Sequence, residues 1–296
     1  MMMTKKTHAC LLAVLSLVLA TSMPERAEPF DGRIVETARR IEAQLEARVG
    51  LAILDTGSGV SSQYRAEERF PMASTFKVLA CAALLARADA GKEDPDRRVA
   101  VAASDLVTYS PVTESLVGQD VSLRALCAAT MSTSDNTAAN KVLEALGGPE
   151  GVTDFLRLLG DETTRLDRWE TALNEGAAGD PRDTTSPAAM AASLQALVLG
   201  DALSARSRAQ LTRWLVENQT GGPLLRAGIP DNWRIGDRTG AGGQGTRGVV
   251  AVIWPPRQLP LVVVVYITGT KASMDARNAA IAEIGKALAE TVLGAR

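Results

Sequence analysis

Phe70-Pro71-Met72-Ala73-Ser74-Thr75-Phe76-Lys77, followed by the apolar run Val78 to Ala86, is the stretch around which the rest of the chain is organised. The run predicts a buried helix, and its start carries a serine and a lysine three residues apart. At a helix start, positions i and i+3 share a face with Cβ atoms roughly 5–6 Å apart, so the Lys77 ammonium can reach the Ser74 hydroxyl. A helix N-terminus also favours negative charge through its free N–H groups and its dipole, which suits a hydroxyl that must lose a proton. In isolation so short a pattern is better explained by a serine that caps a buried helix and a lysine that snorkels, so the remaining chain has to decide.

At 296 residues and 46% hydrophobic content the chain can bury a large core. A net charge of -2 leaves no basic surplus to neutralise phosphates, and 4% aromatics offer little base stacking, so nucleic acid is not expected as a partner. Residues 1–22 read as an export signal: Lys5, Lys6 and His8 lead into the apolar run Ala9 to Ala20, with small residues near Ala20 and Ser22 for cleavage. That run is too short to span a bilayer, though an uncleaved anchor is the alternative. The reading places the protein in the periplasm, or outside the cell of a host without an outer membrane, with no membrane contact once the signal is removed.

Cys10 falls within the signal, leaving Cys81 and Cys127. Both lie in apolar helical patterns, and export to an oxidising compartment allows a disulfide between them; two buried thiols are the alternative. The sole histidine is His8. A mature chain without histidine excludes histidine-based triads and nearly all histidine-containing zinc sites, so a hydrolytic serine must use lysine or a carboxylate as its base.

Residues 31–49 repeat Ile34, Ala38, Ile41 and Leu45 at helical spacing, with Asp31 as a cap and Gly50 as a stop. Residues 51–55 and 60–64 form strand-like runs about the turn Thr56-Gly57-Ser58-Gly59. Helical patterns follow over residues 122–130, 136–146 and 149–159. Residues 160–183 are charged, irregular and longer than an ordinary connection, which points to a functional loop. Helices resume over residues 187–199, opened by Ser186 and Pro187, and over 204–217. Residues 234–239, 248–254 and 261–268 read as strands and 275–293 as a closing helix. Strands at both ends around a helical middle predict an α+β fold: an antiparallel five-stranded sheet flanked by the terminal helices, with an inserted all-α lobe. Residues 28–296 make one catalytic domain, its α/β lobe from 28–65 and 220–296 and its all-α lobe from 66–219, with a cleft between them.

Three further stretches carry chemistry. Ser134-Asp135-Asn136 precedes a helix, Glu170-x-x-x-Asn174 lies in the long loop, and Arg238-Thr239-Gly240 ends a strand before Ala241-Gly242-Gly243. Singly these describe a capping turn, a solvated loop and a glycine-rich hairpin. In this order and at these separations from Ser74-x-x-Lys77 they resemble the class A serine β-lactamases. The resemblance runs from about Phe30 to the end and takes in Arg165-Leu166-Asp167-Arg168-Trp169-Glu170, Arg182-Asp183-Thr184-Thr185 and Ile281-Ala282-Glu283-Ile284-Gly285.

The resemblance implies a β-lactam substrate, antibiotic resistance as the outcome, no cofactor, and a monomer. It implies that Ser74 attacks the lactam carbonyl, with Lys77 or Glu170 as the acylation base. The backbone N–H groups of Ser74 and Ala241 would form the oxyanion hole, and Ser134 would relay a proton to the departing nitrogen. Glu170 and Asn174 would activate the deacylating water. Arg238, Thr239, Gly240, Ser134 and Arg247 are implied to receive the substrate carboxylate, Asn136 its side-chain amide, and Tyr109 to wall the cleft. Arg168 and Asp183 would pair across the neck of the loop.

Two departures stand out. Arg238 replaces the usual lysine, and Arg-Thr-Gly resembles the carbenicillin-hydrolysing subgroup, so penicillins including carboxypenicillins, with early cephalosporins, are the expected substrates. Thr171 replaces a common proline, and since a cis peptide without proline costs roughly 2.5–4 kcal/mol, none is assumed after Glu170. Penicillin-binding transpeptidases, carboxypeptidases and sensors, and the related Ser/Lys amidases, share the nucleophile pair but generally lack the Glu170-Asn174 pair.

Overall fold

The structure, a computed structural model, describes residues 32–294; the signal segment and the expected cap Asp31 lie outside the described residues. Helix α1 spans Arg33–Gln44 and buries Ile34, Ala38 and Ile41, the stripe that its periodicity predicts. It ends earlier than expected. From Arg48 the period changes to two, and Arg48–Asp55 is strand β1, with Val49, Leu51 and Ile53 packed in one core and Ala52 in another. Gly50 is therefore no helix stop: a Cβ there would lie 2.5 Å from the Phe70 ring and 2.8 Å from Pro187, so the strand needs a residue without a side chain.

The chain continues through β2 (Ser61–Tyr64), β3 (Phe70–Pro71), a 3-10 turn at Ala73–Thr75 and α2 (Phe76–Asp89). Next come β4 (Arg98–Ala100), β5 (Asp120–Ser122), α3 (Leu123–Thr133), α4 (Asn136–Leu146), α5 (Pro149–Leu158) and β6 (Thr184–Thr185). Helices α6 (Pro187–Val198), α7 (Ala205–Val216) and α8 (Leu225–Gly228) precede β7 (Arg234–Ala241), β8 (Arg247–Trp254), β9 (Leu261–Thr268) and α9 (Met274–Gly294). The Ser186 hydroxyl accepts from Ala189 N–H and caps α6 as its sequence predicts.

The main sheet has five antiparallel strands in the order β2-β1-β9-β8-β7. Strand β9 is buried at every position because helices cover both faces. Val263, Val265 and Ile267 pack with α1, α8 and α9, while Val262, Val264 and Tyr266 pack with the helical region on the other side. Within that region α2 is buried without interruption from Phe76 to Leu85, so the middle of the molecule is a helix rather than a strand. Cys81 on α2 and Cys127 on α3 are joined in a disulfide, which resolves the choice left by the sequence. Among the described residues no helix is long and apolar enough to cross a membrane.

Candidate active site

Ser74 lies in the 3-10 turn before α2, and its hydroxyl caps no helix. Thr75 instead ties the turn, its Oγ1 donating to Met72 O at 2.7 Å. Ala73 has φ +42°, a left-handed backbone that favours glycine, so surrounding packing holds the turn in an unusual conformation. Strand β7 supplies part of that packing. A Cβ on Gly240 would lie 2.8 Å from Met72 O and 3.2 Å from Ser74 N, a spacing only glycine permits, and Ala241 follows at the exposed end of β7, paired with Arg247.

Ser74 Oγ donates to Glu170 Oε1 at 3.4 Å, and the same carboxylate oxygen lies 2.9 Å from Lys77 Nζ. Both side chains of that ion pair are fully buried. Lys77 also donates to Asn136 Oδ1 at 2.6 Å, Ser134 O at 2.9 Å and Ser134 Oγ at 3.2 Å. Burial pulls the lysine down to about 8, opposed by the attraction of Glu170. A hydroxyl, an ammonium and a carboxylate thus meet without histidine, an arrangement in which a proton can move over short distances.

Ser134 and Asn136 come from the elbow between α3 and α4. Ser134 ends α3 at φ +70°, and Asp135 caps α4 by accepting from Ala138 N–H at 2.8 Å, so the capping alternative describes the middle residue of the three. Asp135 is fully buried and also accepts from Val112 N–H, Thr113 N–H and the Thr113 hydroxyl, binding the elbow to the segment that carries Tyr109. Asn136 reaches the same segment, its Nδ2 donating to Thr108 O at 2.8 Å and its N–H to Tyr109 O. The Tyr109 side chain is 58% exposed.

Glu170 arrives on the long loop after α5. Asn174 Nδ2 donates to Glu170 Oε2 at 2.5 Å, and Asn174 Oδ1 is buried with no partner among the described residues. The Glu170–Thr171 peptide is cis, which the sequence had left open. Asn140 on α4 holds both backbone polar groups of Glu170, accepting from its N–H at 2.9 Å and donating to its carbonyl at 3.0 Å, which accounts for the fixed backbone there. Two-residue pairing of β3 with β6 closes the loop's neck. Across it Arg168 Nε donates to the buried Asp183 at 2.5 Å, as expected, and Asp183 Oδ1 accepts from the N–H groups of Asp167 and Arg168.

From β7, Arg238 is fully buried and donates through one Nη to Ser134 Oγ and through the other to Thr220 Oγ1 at 3.3 Å. Burial pulls Arg238 and Arg247 down to about 10, which still leaves both cationic at neutral pH. Arg247 donates to Asn278 Oδ1 at 2.8 Å and Gly240 O at 3.2 Å. Ser74, Lys77, Ser134, Asn136, Glu170, Asn174 and Arg238 therefore form one hydrogen-bonded cluster, with Thr239, Gly240 and Ala241 beside it on β7. Sequence reasoning passed over Asn140 and Thr220, whose single polar side chains carry no motif.

The chain belongs to the class A β-lactamases: the β-lactamase enzyme family matches residues 33–292. It is 50% identical to β-lactamase AER-1 of Aeromonas hydrophila over 94% of this chain and 92% of that one. It is 48% identical to β-lactamase PSE-4 of Pseudomonas aeruginosa over 94% of this chain and 96% of that protein. An ancestral class A β-lactamase superposes with a TM-score of 0.85 at 56% identity, covering 89% of this chain and all of that one.

Proposed function

We propose that this enzyme hydrolyses penicillins, including carboxypenicillins, and early cephalosporins through an ester on Ser74. The observation that carries the reading is Glu170, one oxygen of which meets both Ser74 and Lys77 while the other is held by Asn174. Ser74 Oγ bonds to the lactam carbonyl carbon and loses its proton to the Lys77–Glu170 pair. The carbon–nitrogen bond then breaks, and the Ser134 hydroxyl protonates the nitrogen while recovering a proton from Lys77, which passes on the one taken from Ser74. Backbone N–H groups of Ser74 and Ala241 stabilise the oxyanion, a kind of contact worth about 2.7–4 kcal/mol per donor in other enzymes. Water activated by Glu170 and Asn174 cleaves the ester and restores Ser74; the unpartnered Asn174 acceptor suits that role. Arg238, Thr239 and Arg247 receive the substrate carboxylate, for which a forked cation is well shaped.

The site occupies the cleft between an α/β lobe and an all-α lobe, and the enzyme works as a periplasmic monomer. The Cys81–Cys127 bond supports an oxidising compartment. Benzylpenicillin should be consumed over many turnovers, and Glu170→Ala should accumulate an acyl adduct visible as a mass increase of the intact protein. A single stoichiometric adduct on the unmutated protein, with no further loss of substrate, would replace this reading with that of a penicillin receptor. Arg238→Lys should change the ratio of carbenicillin to benzylpenicillin turnover; an unchanged ratio removes Arg238 from the account of specificity.

A further inference from the structure

The Arg238 guanidinium is fully buried, yet among the described residues its Nε has no partner and its Nη groups reach only two hydroxyls, those of Ser134 and Thr220. Thr220 ends a polar chain that starts beneath β7. Arg226 pairs with the buried Asp237 at 2.9 Å, and Asn218 Nδ2 donates to Asp237 Oδ1 at 2.8 Å. That contact turns Asn218 Oδ1 towards Thr220, where it accepts from the backbone N–H at 3.1 Å and from the hydroxyl at 2.9 Å. A hydroxyl has one proton and two lone pairs. With its proton given to Asn218, Thr220 Oγ1 can only accept from Arg238 and, at 2.6 Å, from the Thr239 hydroxyl. Every hydrogen-bonding position of the Thr220 hydroxyl is then used.

The backbone holds this chain in place. A Cβ on Gly221 would lie 2.1 Å from Asp237 Oδ2, so the segment lies directly on the carboxylate, and Gln219 N–H donates to Ser132 O just before Ser134. Residues 218–221 thus strap the end of α3 to β7, between the two groups that grip Arg238.

We propose that Thr220 is a positioning residue that aims Arg238 at the substrate carboxylate, its direction set by Asn218 on Asp237. The proposal rests on the carboxylate-binding role given to Arg238 above. Thr220→Val keeps the side-chain shape and removes the hydroxyl. Since a hydrogen bond to a charged group is worth a tenfold or greater change in an equilibrium, KM for benzylpenicillin should rise about tenfold with kcat nearly unchanged. Thr220→Ser should restore KM, and the methyl ester of benzylpenicillin, which lacks the anion, should be insensitive to either change. In an Arg238→Ala background Thr220→Val should add little, because its target is gone. A full, additive loss in that background, or an unchanged KM for Thr220→Val beside a raised one for Arg238→Ala, overturns the proposal. If Arg238→Ala itself leaves KM unchanged, the carboxylate reading has failed, and the positioning role fails with it.

Discussion

Replacing Asp183 by asparagine separates the two halves of the proposed reaction. The Asp183 side chain is 1% exposed; its Oδ1 accepts two backbone N–H groups and its Oδ2 the Arg168 Nε at 2.5 Å. Asparagine can keep the first oxygen but sets an amide donor against the Arg168 donor. One charge-assisted bond is lost, a change of about 1.5–3 kcal/mol. Arg168 keeps Glu175 at 2.5 Å, but Glu175 is 58% exposed and returns less than about 1 kcal/mol. The net cost falls on closing the loop and is about 2 kcal/mol, or roughly 30-fold in its equilibrium. Ser74 and Lys77 are held by the turn and α2, outside the loop, and Lys77 stays beside Ser74 to take its proton when Glu170 is displaced, so acylation should slow less than deacylation, which needs Glu170 and slows by up to about 30-fold. Rapid mixing with a chromogenic β-lactam should show a preserved burst and a depressed steady state, with acyl-enzyme visible in the mass of quenched samples. Burst and steady-state rates that fall together, with no adduct, would refute the assignment of this neck to Glu170 alone.

Three other outcomes follow from the packing and charge. Lys77 sits at about 8 when folded against 10.5 as its ordinary value, so the unfolded chain binds more protons at this site between those values. Its burial penalty is then full below about pH 8 and relieved above it, and the native protein should gain roughly 2 kcal/mol over Lys77→Met/Glu170→Gln between about pH 7.5 and 9.5; parallel denaturation curves would contradict this. Gly50→Ala places a methyl 2.5 Å from the Phe70 ring and should destabilise by about 1–3 kcal/mol in urea melts, and an unchanged midpoint would mean that β1 and Phe70 separate freely. Cys81→Ala/Cys127→Ala opens a cross-link spanning 46 residues and should lower stability by about 2–4 kcal/mol, whereas equal midpoints would assign the disulfide no stabilising role.

Much of the fold follows from periodicity that can be read locally. Strand β9 was legible to the residue, because an unbroken apolar run bounded by proline and glycine has few other uses. Helix α1 was overextended because Gly50 looks like a stop until Phe70 and Pro187, distant in sequence, are known to press on it. Strands β3 and β6 are two residues long and exist only as each other's partner, so no local pattern announces them. The site divides in the same way. Ser74, Lys77, Ser134 and Glu170 were found through spacing and resemblance, whereas Asn140 and Thr220 act through contacts that only the folded chain creates. The cis peptide after Glu170 stayed undecided in the sequence because the proline that usually marks one is absent.

The order of strands in the sheet also sets a timetable. Strand β1 is flanked by β2, made soon after it, and by β9, in a register that sets residue 48 opposite residue 268. A chain that emerges N-terminus first carries two of the five strands, with the β9 side of β1 unpaired, until nearly all of it has been made. Only a two-stranded hairpin is available early, and a pair of strands alone is marginal in water. The central sheet must therefore assemble late, through β1–β9 contacts that are distant in sequence, which slows folding. Under the export proposed above, in which the chain crosses a membrane unfolded, lateness of this kind would keep it threadable.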